Sequence, residues 1–157
     1  MNEHVIRKAG KKDIPEITSL ILRLKKLNEE FDPFFKVDDS AEKTISNYIQ
    51  EVIKDKNSLL FISNINEKIS GVIRSRIDER IFYKPKRRGN IIDFYVLPEF
   101  RRSKVGEQLL QKTYDTLLEK GAKIIVTEFP TQNKIATSFY KKNGYRAIVS
   151  SYGKVVD

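Results

Sequence analysis

The stretch of residues 91–129 constrains the fold of this chain more than any other part. It reads as an apolar strand at 91–96, a basic turn, an amphipathic helix at 105–119 and a β-branched apolar strand at 123–129. A strand, a helix and a strand in that order form a right-handed crossover that pairs the two strands in parallel. The sequence therefore predicts an α/β fold that contains this parallel pair.

The other apolar patterns complete one domain around this unit. In chain order they predict a strand at 5–8, helices at 13–27 and from 40, an antiparallel hairpin of strands at 58–63 and 69–77, a helix at 132–142 and one or two closing strands within 145–156. A chain of 157 residues is long enough for one core and short for two. We therefore expect a single domain over residues 1–157.

The turn that ends at Lys104 has the features of an anion-binding site. It leads into a helix start, where unpaired backbone N–H groups and the positive end of the helix dipole meet Arg101 and Arg102. Gly106 lets a ligand approach the backbone closely, and we expect the pyrophosphate of a nucleotide-bearing cofactor. The alternative is an ordinary helix with Ser103 as its N-cap behind a solvated basic turn.

Composition argues against several classes of site. The chain has no cysteine and a single histidine, His4, so disulfides, zinc sites, and Cys or Ser-His-Asp nucleophiles are not expected, and we expect no metal. No segment approaches the ~20 apolar residues of a membrane span, and the N-terminus has no apolar signal core. These features favour a cytoplasmic protein without membrane contact.

The formal charge of +9 is concentrated near the turn, since residues 84–104 hold seven basic side chains against two acidic ones. Such a surface attracts nucleic acid, anionic membrane or a phosphorylated small molecule. One interpretation is a basic nucleic-acid-binding module, in which Arg87 and Arg88 contact phosphates while Phe82 and Tyr83 stack on bases.

Two motifs resemble signatures of the GCN5-related N-acetyltransferases (GNAT). Residues 101–106 are similar to the acetyl-CoA motif Arg/Gln-x-x-Gly-x-Gly/Ala, with Arg101 and Gly106 in place and Lys104 at the first glycine position. Residues 133–145 meet every fixed position of Asn-x-x-Ala-x-x-hydrophobic-Tyr-x-x-x-Gly-Phe, with Tyr145 for the final Phe. The element order also matches this family over nearly the whole chain. A nucleic-acid-binding module leaves the second motif unexplained, so nucleic acid is not the favoured partner.

The resemblance implies the GNAT fold, with a mixed, mostly antiparallel sheet of six to seven strands flanked by about four helices. In that family the two parallel strands splay apart, and the pantetheine arm of acetyl-CoA enters the gap. The implied activity is direct transfer of an acetyl group from acetyl-CoA to a primary amine, of a small molecule or a protein N-terminus, in a ternary complex. The alternative is a non-catalytic fold that senses acyl-CoA.

The resemblance also implies which residues bind acetyl-CoA. A backbone N–H at the end of the strand before the turn is expected to hold the oxyanion, the turn to hold the phosphates, and Asn133 to hold the pantetheine arm. The full set is Phe94, Tyr95, Val96, Arg101, Arg102, Ser103, Lys104, Val105, Gly106, Asn133 and Tyr140. Lys104 is expected to adopt a helical backbone. Its side chain would either add a phosphate contact or crowd the site and weaken cofactor affinity, and retained binding is favoured.

Three side chains are candidates for proton transfer. Similarity to ribosomal-protein alanine N-acetyltransferases implies that Glu128 takes the proton of the amine, directly or through a water, with Asp93 as the second candidate base. Tyr140 is implied as the acid that protonates the leaving thiolate, because its unperturbed pKa of about 10 is close to that of an alkyl thiol. The structural alternatives are a surface glutamate and a tyrosine that only lines the pantetheine channel.

The acceptor is expected beside the loop at 28–39 and the basic connection at 80–90. Five aromatic side chains there either line an apolar slot or pack as a satellite cluster on the sheet: Phe31, Phe34, Phe35, Phe82 and Tyr83. A basic rim repels polycations, which favours a neutral or acidic amine or a protein N-terminus. Exposed closing strands would allow a homodimer.

Overall fold

The computed structural model describes residues 4–157, which build one five-stranded sheet in the order β1-β2-β3-β4-β5. The strands are β1 (Val5–Lys8), β2 (Ser58–Ile65), β3 (Lys68–Glu79), β4 (Arg87–Val96) and β5 (Ile124–Thr127). Neighbouring strands from β1 to β4 are antiparallel, whereas β4 and β5 are parallel. The predicted mixed α/β fold is confirmed, and so is the parallel pair.

Four helices cover the two faces of this sheet. They are α1 (Ile14–Phe31), α2 (Ala41–Lys54), α3 (Val105–Glu119) and α4 (Lys134–Lys142). One core lies between the sheet and α1 and α2, and the other lies between the sheet and α3 and α4. Successive strand residues supply opposite faces, so Val72 packs in the first core and Ile73 in the second.

The parallel pair is short, and this opens a gap in the sheet. Its register runs from Arg88 opposite Ile124 to Ile91 opposite Thr127. Beyond Ile91, β4 continues to Val96, while β5 has ended before Pro130, a residue that has no N–H to donate. Among the described residues, no strand pairs with this last part of β4 on that side.

A β-bulge in β4 determines on which face of the sheet the side chains beside the gap lie. Arg74 of β3 is opposite Asp93, and Ser75 is opposite Ile91, so Ile92 is an extra, bulged residue. Without it, Asp93 would lie on the same face as Ile91, against α3. With it, Asp93 lies on the face of α1 and α2, together with Tyr95. The bulge therefore turns a carboxylate towards α1 beside the opening.

The predicted closing strands at 145–156 do not form, so the sheet has five strands rather than six or seven. The amide of Tyr145 still bonds the Tyr140 carbonyl, but every residue from Arg146 onward is exposed and makes no hydrogen bond to another described residue. The free edge of β5 is only four residues long. Within the described residues, no strand pairs with this edge.

The connection between β3 and β4 is also shorter than predicted, because β4 begins at Arg87 and leaves only residues 80–86 outside the strands. This connection precedes the paired part of β4, whereas the gap follows it. Phe82 and Tyr83 lie there with 87% and 66% of their surface exposed. The expectation that they line an acceptor slot is therefore wrong. Within residues 4–157, no helix has the length and apolar character needed to cross a membrane.

Candidate active site

The turn before α3 presents free backbone donors, as the sequence predicted. The amides of residue 102 and residues 104–107 bond no acceptor among the described residues. Ser103 does not cap the helix, because its hydroxyl donates to the Phe100 carbonyl instead. Helix α3 has 15 residues, so its dipole places partial positive charge at the same amides. The turn therefore leaves several donors available to an anion, and the prediction of Ser103 as the N-cap is wrong.

Lys104 adopts a left-handed backbone, with φ 65° and ψ 10°. The expectation of a helical conformation is therefore wrong. For an L-residue this left-handed conformation costs about 1–2 kcal/mol in conformational energy, because the Cβ approaches the following carbonyl oxygen. Glycine has no Cβ and avoids this clash. A left-handed residue at a turn also helps successive N–H groups converge on one anion. The backbone geometry that a motif glycine would supply is thus retained with a lysine in its place.

Arg101 fastens the turn to the end of β4. Its Nε donates to the Val96 carbonyl at 3.0 Å, and its guanidinium lies 5.4 Å from the centre of the buried Tyr95 ring. The side chain of Arg101 is thus engaged by the protein, although the residue is exposed, as Arg102 and Ser103 are. Arg101 positions the amides of the turn, and Tyr95 supports it from the first core.

Backbone groups of β4 line the gap next to the turn. Leu97 donates its amide to the Ser70 carbonyl of β3 at 2.9 Å. Since N–H groups alternate in direction along a strand, those of Phe94 and Val96 point the other way, towards the gap. The amide of Tyr95 points to β3 and is not available to a ligand in the gap. Two of the three predicted backbone donors therefore face the right way.

Gly106 lies at the mouth of this gap. A Cβ placed on it would be 3.7 Å from both Phe94 and Phe139, which is ordinary van der Waals contact. The rings of these two residues approach edge to face, with centroids 5.7 Å apart. The protein itself would tolerate a side chain at Gly106. Because residue 106 is glycine, the space next to the free amides of α3 contains no side chain of its own.

Tyr140 places a hydroxyl at the base of the gap. Thr127, the last residue of β5 that pairs with β4, donates to this hydroxyl at 3.5 Å. The ring is buried, stacks on Phe129 with centroids 5.5 Å apart and meets Tyr145 edge to face. Burial raises the pKa of Tyr140 to about 12. The hydroxyl therefore keeps its proton throughout the neutral range.

Asn133 has a structural role that the sequence did not reveal. Its side-chain oxygen accepts the Ala136 amide at 3.0 Å and caps the start of α4. This cap orients the helix that carries Tyr140. The amide nitrogen of Asn133 donates to no described acceptor and is the part of the side chain left for a ligand.

The two candidate bases lie on the same face of the sheet but in different surroundings. Asp93 is 2% exposed, and its Oδ1 accepts a hydrogen bond from the Nζ of Lys25 at 2.6 Å. Glu128 follows β5 directly, is exposed, and bonds no described residue. Because Ile125 and Phe129 pack in the α3 core, alternation directs Glu128 to the opposite face, where Asp93 lies. The carboxylates thus flank the gap from its two strands.

Two charged residues of this face, Lys25 and Arg74, were not predicted from the sequence. Lys25 on α1 pairs with Asp93, and Arg74 on β3 is buried directly opposite Asp93. A signal was present, because Arg74 alternates with the buried Val72 and so occupies an inward position of an otherwise apolar strand. Tyr48 of α2 covers Arg74, with its ring centre 4.5 Å from the guanidinium carbon.

Comparisons with known proteins agree with this geometry. The family model described as "Acetyltransferase (GNAT) family" matches residues 24–145. An uncharacterized N-acetyltransferase of Archaeoglobus fulgidus is 23% identical over 141 residues, covering 90% of this chain and 92% of the relative.

Two solved structures show the same fold over almost the whole chain. One is a predicted acetyltransferase from Clostridium acetobutylicum with acetyl-CoA, with a TM-score of 0.79, 19% identity and coverage of 98% of this chain and 96% of that one. The other is glucosamine-6-phosphate N-acetyltransferase from Arabidopsis thaliana, with a TM-score of 0.73, 18% identity and coverage of 99% of both chains.

Proposed function

The chain belongs to the GNAT acetyltransferase family, and from this premise we propose that it transfers the acetyl group of acetyl-CoA directly to a primary amine in a ternary complex. The observation that carries the proposal is the set of free amides before α3, which adjoins a gap with a tyrosine hydroxyl at its base. The chain has no cysteine to form a thioester intermediate, so direct transfer is favoured. We propose that one domain, residues 1–157, contains the whole site.

The residues of this site fit the proposed cofactor. The amides of residue 102 and residues 104–107 would hold the diphosphate, and those of Phe94 and Val96 would hold the arm that enters the gap. The free amide nitrogen of Asn133 adds a donor on the α4 side. When bound, acetyl-CoA supplies an activated acetyl thioester.

Tyr140 is the proposed donor to the leaving sulfur, but its burial limits how completely it gives up its proton. A thiol has a pKa of about 8.5, so full transfer from a phenol of pKa about 12 is uphill by about 3.5 units, or about 5 kcal/mol. The hydroxyl therefore acts chiefly by a hydrogen bond that stabilises charge on the sulfur. The thiolate would take its final proton from solvent or from the acceptor amine.

Glu128 is the better candidate for the base. Asp93 already accepts the Lys25 ammonium, whereas the Glu128 carboxylate is free and lies at the opening. Glu128 would take the proton from the amine directly or through one water. Asp93 would instead orient the amine from the other strand.

The rival interpretation as a nucleic-acid-binding module loses support from the structure. Arg88 forms two hydrogen bonds to Asp78, at 2.7 and 3.0 Å, and Arg87 donates to the Lys120 carbonyl at 2.6 Å. These two arginines were the proposed phosphate contacts. Their guanidinium groups instead tie the start of β4 to neighbouring elements.

The homodimer stays a prediction, for which sedimentation velocity is the test.

A panel of amines and peptides, scored by release of free thiol from acetyl-CoA, tests the proposed function. We expect Tyr140→Phe to lower kcat by at least 100-fold and Glu128→Gln by a similar factor, with CoA affinity kept within about 3-fold. Tyr145→Phe, which changes the neighbouring ring, is the matched control and should keep most activity. CoA binding without thiol release for any amine would contradict the proposal and favour a sensing role.

A further inference from the structure

Arg74 is a buried charge without a charged partner. The residue is 6% exposed, and its Nε is buried with no hydrogen-bond partner among the described residues. No described carboxylate lies within salt-bridge distance of the guanidinium, and its close neighbour is the Tyr48 ring. Arginine is almost never fully buried unless it is paired, because its charge loses hydration. The missing partner is therefore an anion that the protein does not supply.

The groups around Arg74 reinforce this need for an anion. Asp93 lies opposite on β4, but it is already bonded by the Lys25 ammonium of α1. The Asp55 carboxylate is already paired with Arg76, two residues along β3 from Arg74. On α2, Tyr48 presents the face of its ring. Lys25, Arg74 and Asp93 together leave one positive charge in excess, and Arg74 is the member of this set without an ion-pair partner.

The position of Arg74 relates this charge to the reacting group. Its cross-strand partner Asp93 lies two residues beyond Ile91, where β5 leaves β4 and the gap begins. Directly opposed side chains in an antiparallel pair start about 5 Å apart. A small molecule whose amine lies beside Asp93 can therefore reach Arg74 with a group a few bonds away. Lys25, which bonds Asp93, also lines a cavity of about 430 Å³ together with Asn28 and Phe35.

We propose that Arg74 binds a carboxylate or phosphate group of the acceptor, which makes the acceptor a small amine with an anionic group a few bonds from its nitrogen. This inference rests on the proposed function, since it identifies the class of amine. Bidentate binding of planar or tetrahedral oxyanions suits the fixed fork of a guanidinium. The ring of Tyr48 holds that fork in place while the anion is absent.

Matched pairs of amines test this specificity. The carboxylate pair is alanine and alaninamide, and the phosphate pair is phosphoethanolamine and ethanolamine. We expect the wild-type protein to favour the anionic member of one pair by about 10- to 100-fold in kcat/KM, and the preferred pair identifies the anion. Arg74→Gln should reduce that preference below about 3-fold. Arg76→Gln, which alters an arginine paired with Asp55, is the matched control and should keep it.

A binding measurement separates failure of this inference from failure of the proposed function. Inorganic phosphate and acetate, added separately to the protein with saturating CoA, should raise the melting temperature of the wild-type protein with at least one anion, but not that of Arg74→Gln. Calorimetry should show equal CoA affinity for both proteins, which also establishes that the variant is folded. Arg74→Lys keeps the charge without the fork and should retain only part of the effect. Equal use of both members of each pair, or an unchanged response to the anions in Arg74→Gln, would overturn the role of Arg74 and leave acetyl transfer standing.

Discussion

Replacing Lys104 with glycine should stabilise this protein, although it removes a side chain. Lys104 has φ 65° and is exposed, and its side chain forms no hydrogen bond or ion pair with the described residues. Relief of the left-handed strain contributes about 1–2 kcal/mol. The greater freedom of glycine in the unfolded chain offsets about 0.4–1 kcal/mol of this gain. The middle of each range therefore gives a net stabilisation of about 0.8 kcal/mol.

This gain corresponds to a rise in melting temperature of roughly 1–4 °C for a chain of this length. Guanidinium denaturation gives the free energy of unfolding directly, and a thermal melt gives the temperature. Lys104→Ala is the matched control, because it removes the same ammonium but keeps the Cβ that causes the strain, and it should give no gain. If Lys104→Gly is no more stable than the wild-type protein, or if Lys104→Ala gains as much, strain at this position is not the reason.

Three further perturbations test other parts of the site. The folded-state pKa of Tyr140, about 12, exceeds the unfolded value of about 10, so its stabilisation is fully present below pH 10 and is lost as pH rises towards 12. Up to about 2.7 kcal/mol of the free energy of unfolding should be lost over that pH range. In urea melts at a series of pH values, Tyr140→Phe should reduce this loss. In absorbance titrations at 295 nm, the same variant should lack the phenol that ionises at the highest pH. Asn133→Ala should lower the free energy of unfolding by about 1 kcal/mol, whereas Asn133→Asp, which keeps the capping oxygen, should not; equal urea midpoints for the two variants would exclude the cap. Gly106→Val should fold, because the nearest side chains are 3.7 Å from a Cβ, yet calorimetry should show CoA affinity at least 10-fold weaker; unchanged affinity would place the ligand elsewhere.

Local patterns in the sequence predicted the part of the fold that forms the site. The period of the apolar residues in α3 matches the structure, with helix bounds of Val105–Glu119. The apolar runs on either side of it gave the parallel pair. These features depend on neighbours close in the chain. The second motif likewise located Tyr140 at the base of the gap.

Features that depend on distant partners were not predictable. The segment at 147–156 is rich in β-formers, but a strand also needs a partner for its hydrogen bonds, and no described strand pairs with this segment. The left-handed backbone at Lys104 carries no local signal, because lysine is not a residue that prefers that region. The bulge at Ile92 and the burial of Arg74 emerge only when β3 and β4 pair and α2 packs over them.

The proposed function depends above all on the binding of the CoA diphosphate by the free amides before α3. Calorimetry with CoA and with pantetheine, which lacks the diphosphate, tests it most directly. We expect one CoA site per chain, and binding of pantetheine at least 100-fold weaker because several charge-assisted hydrogen bonds are lost. Equal affinity for the two ligands, or no heat and no melting shift with saturating CoA, would contradict it.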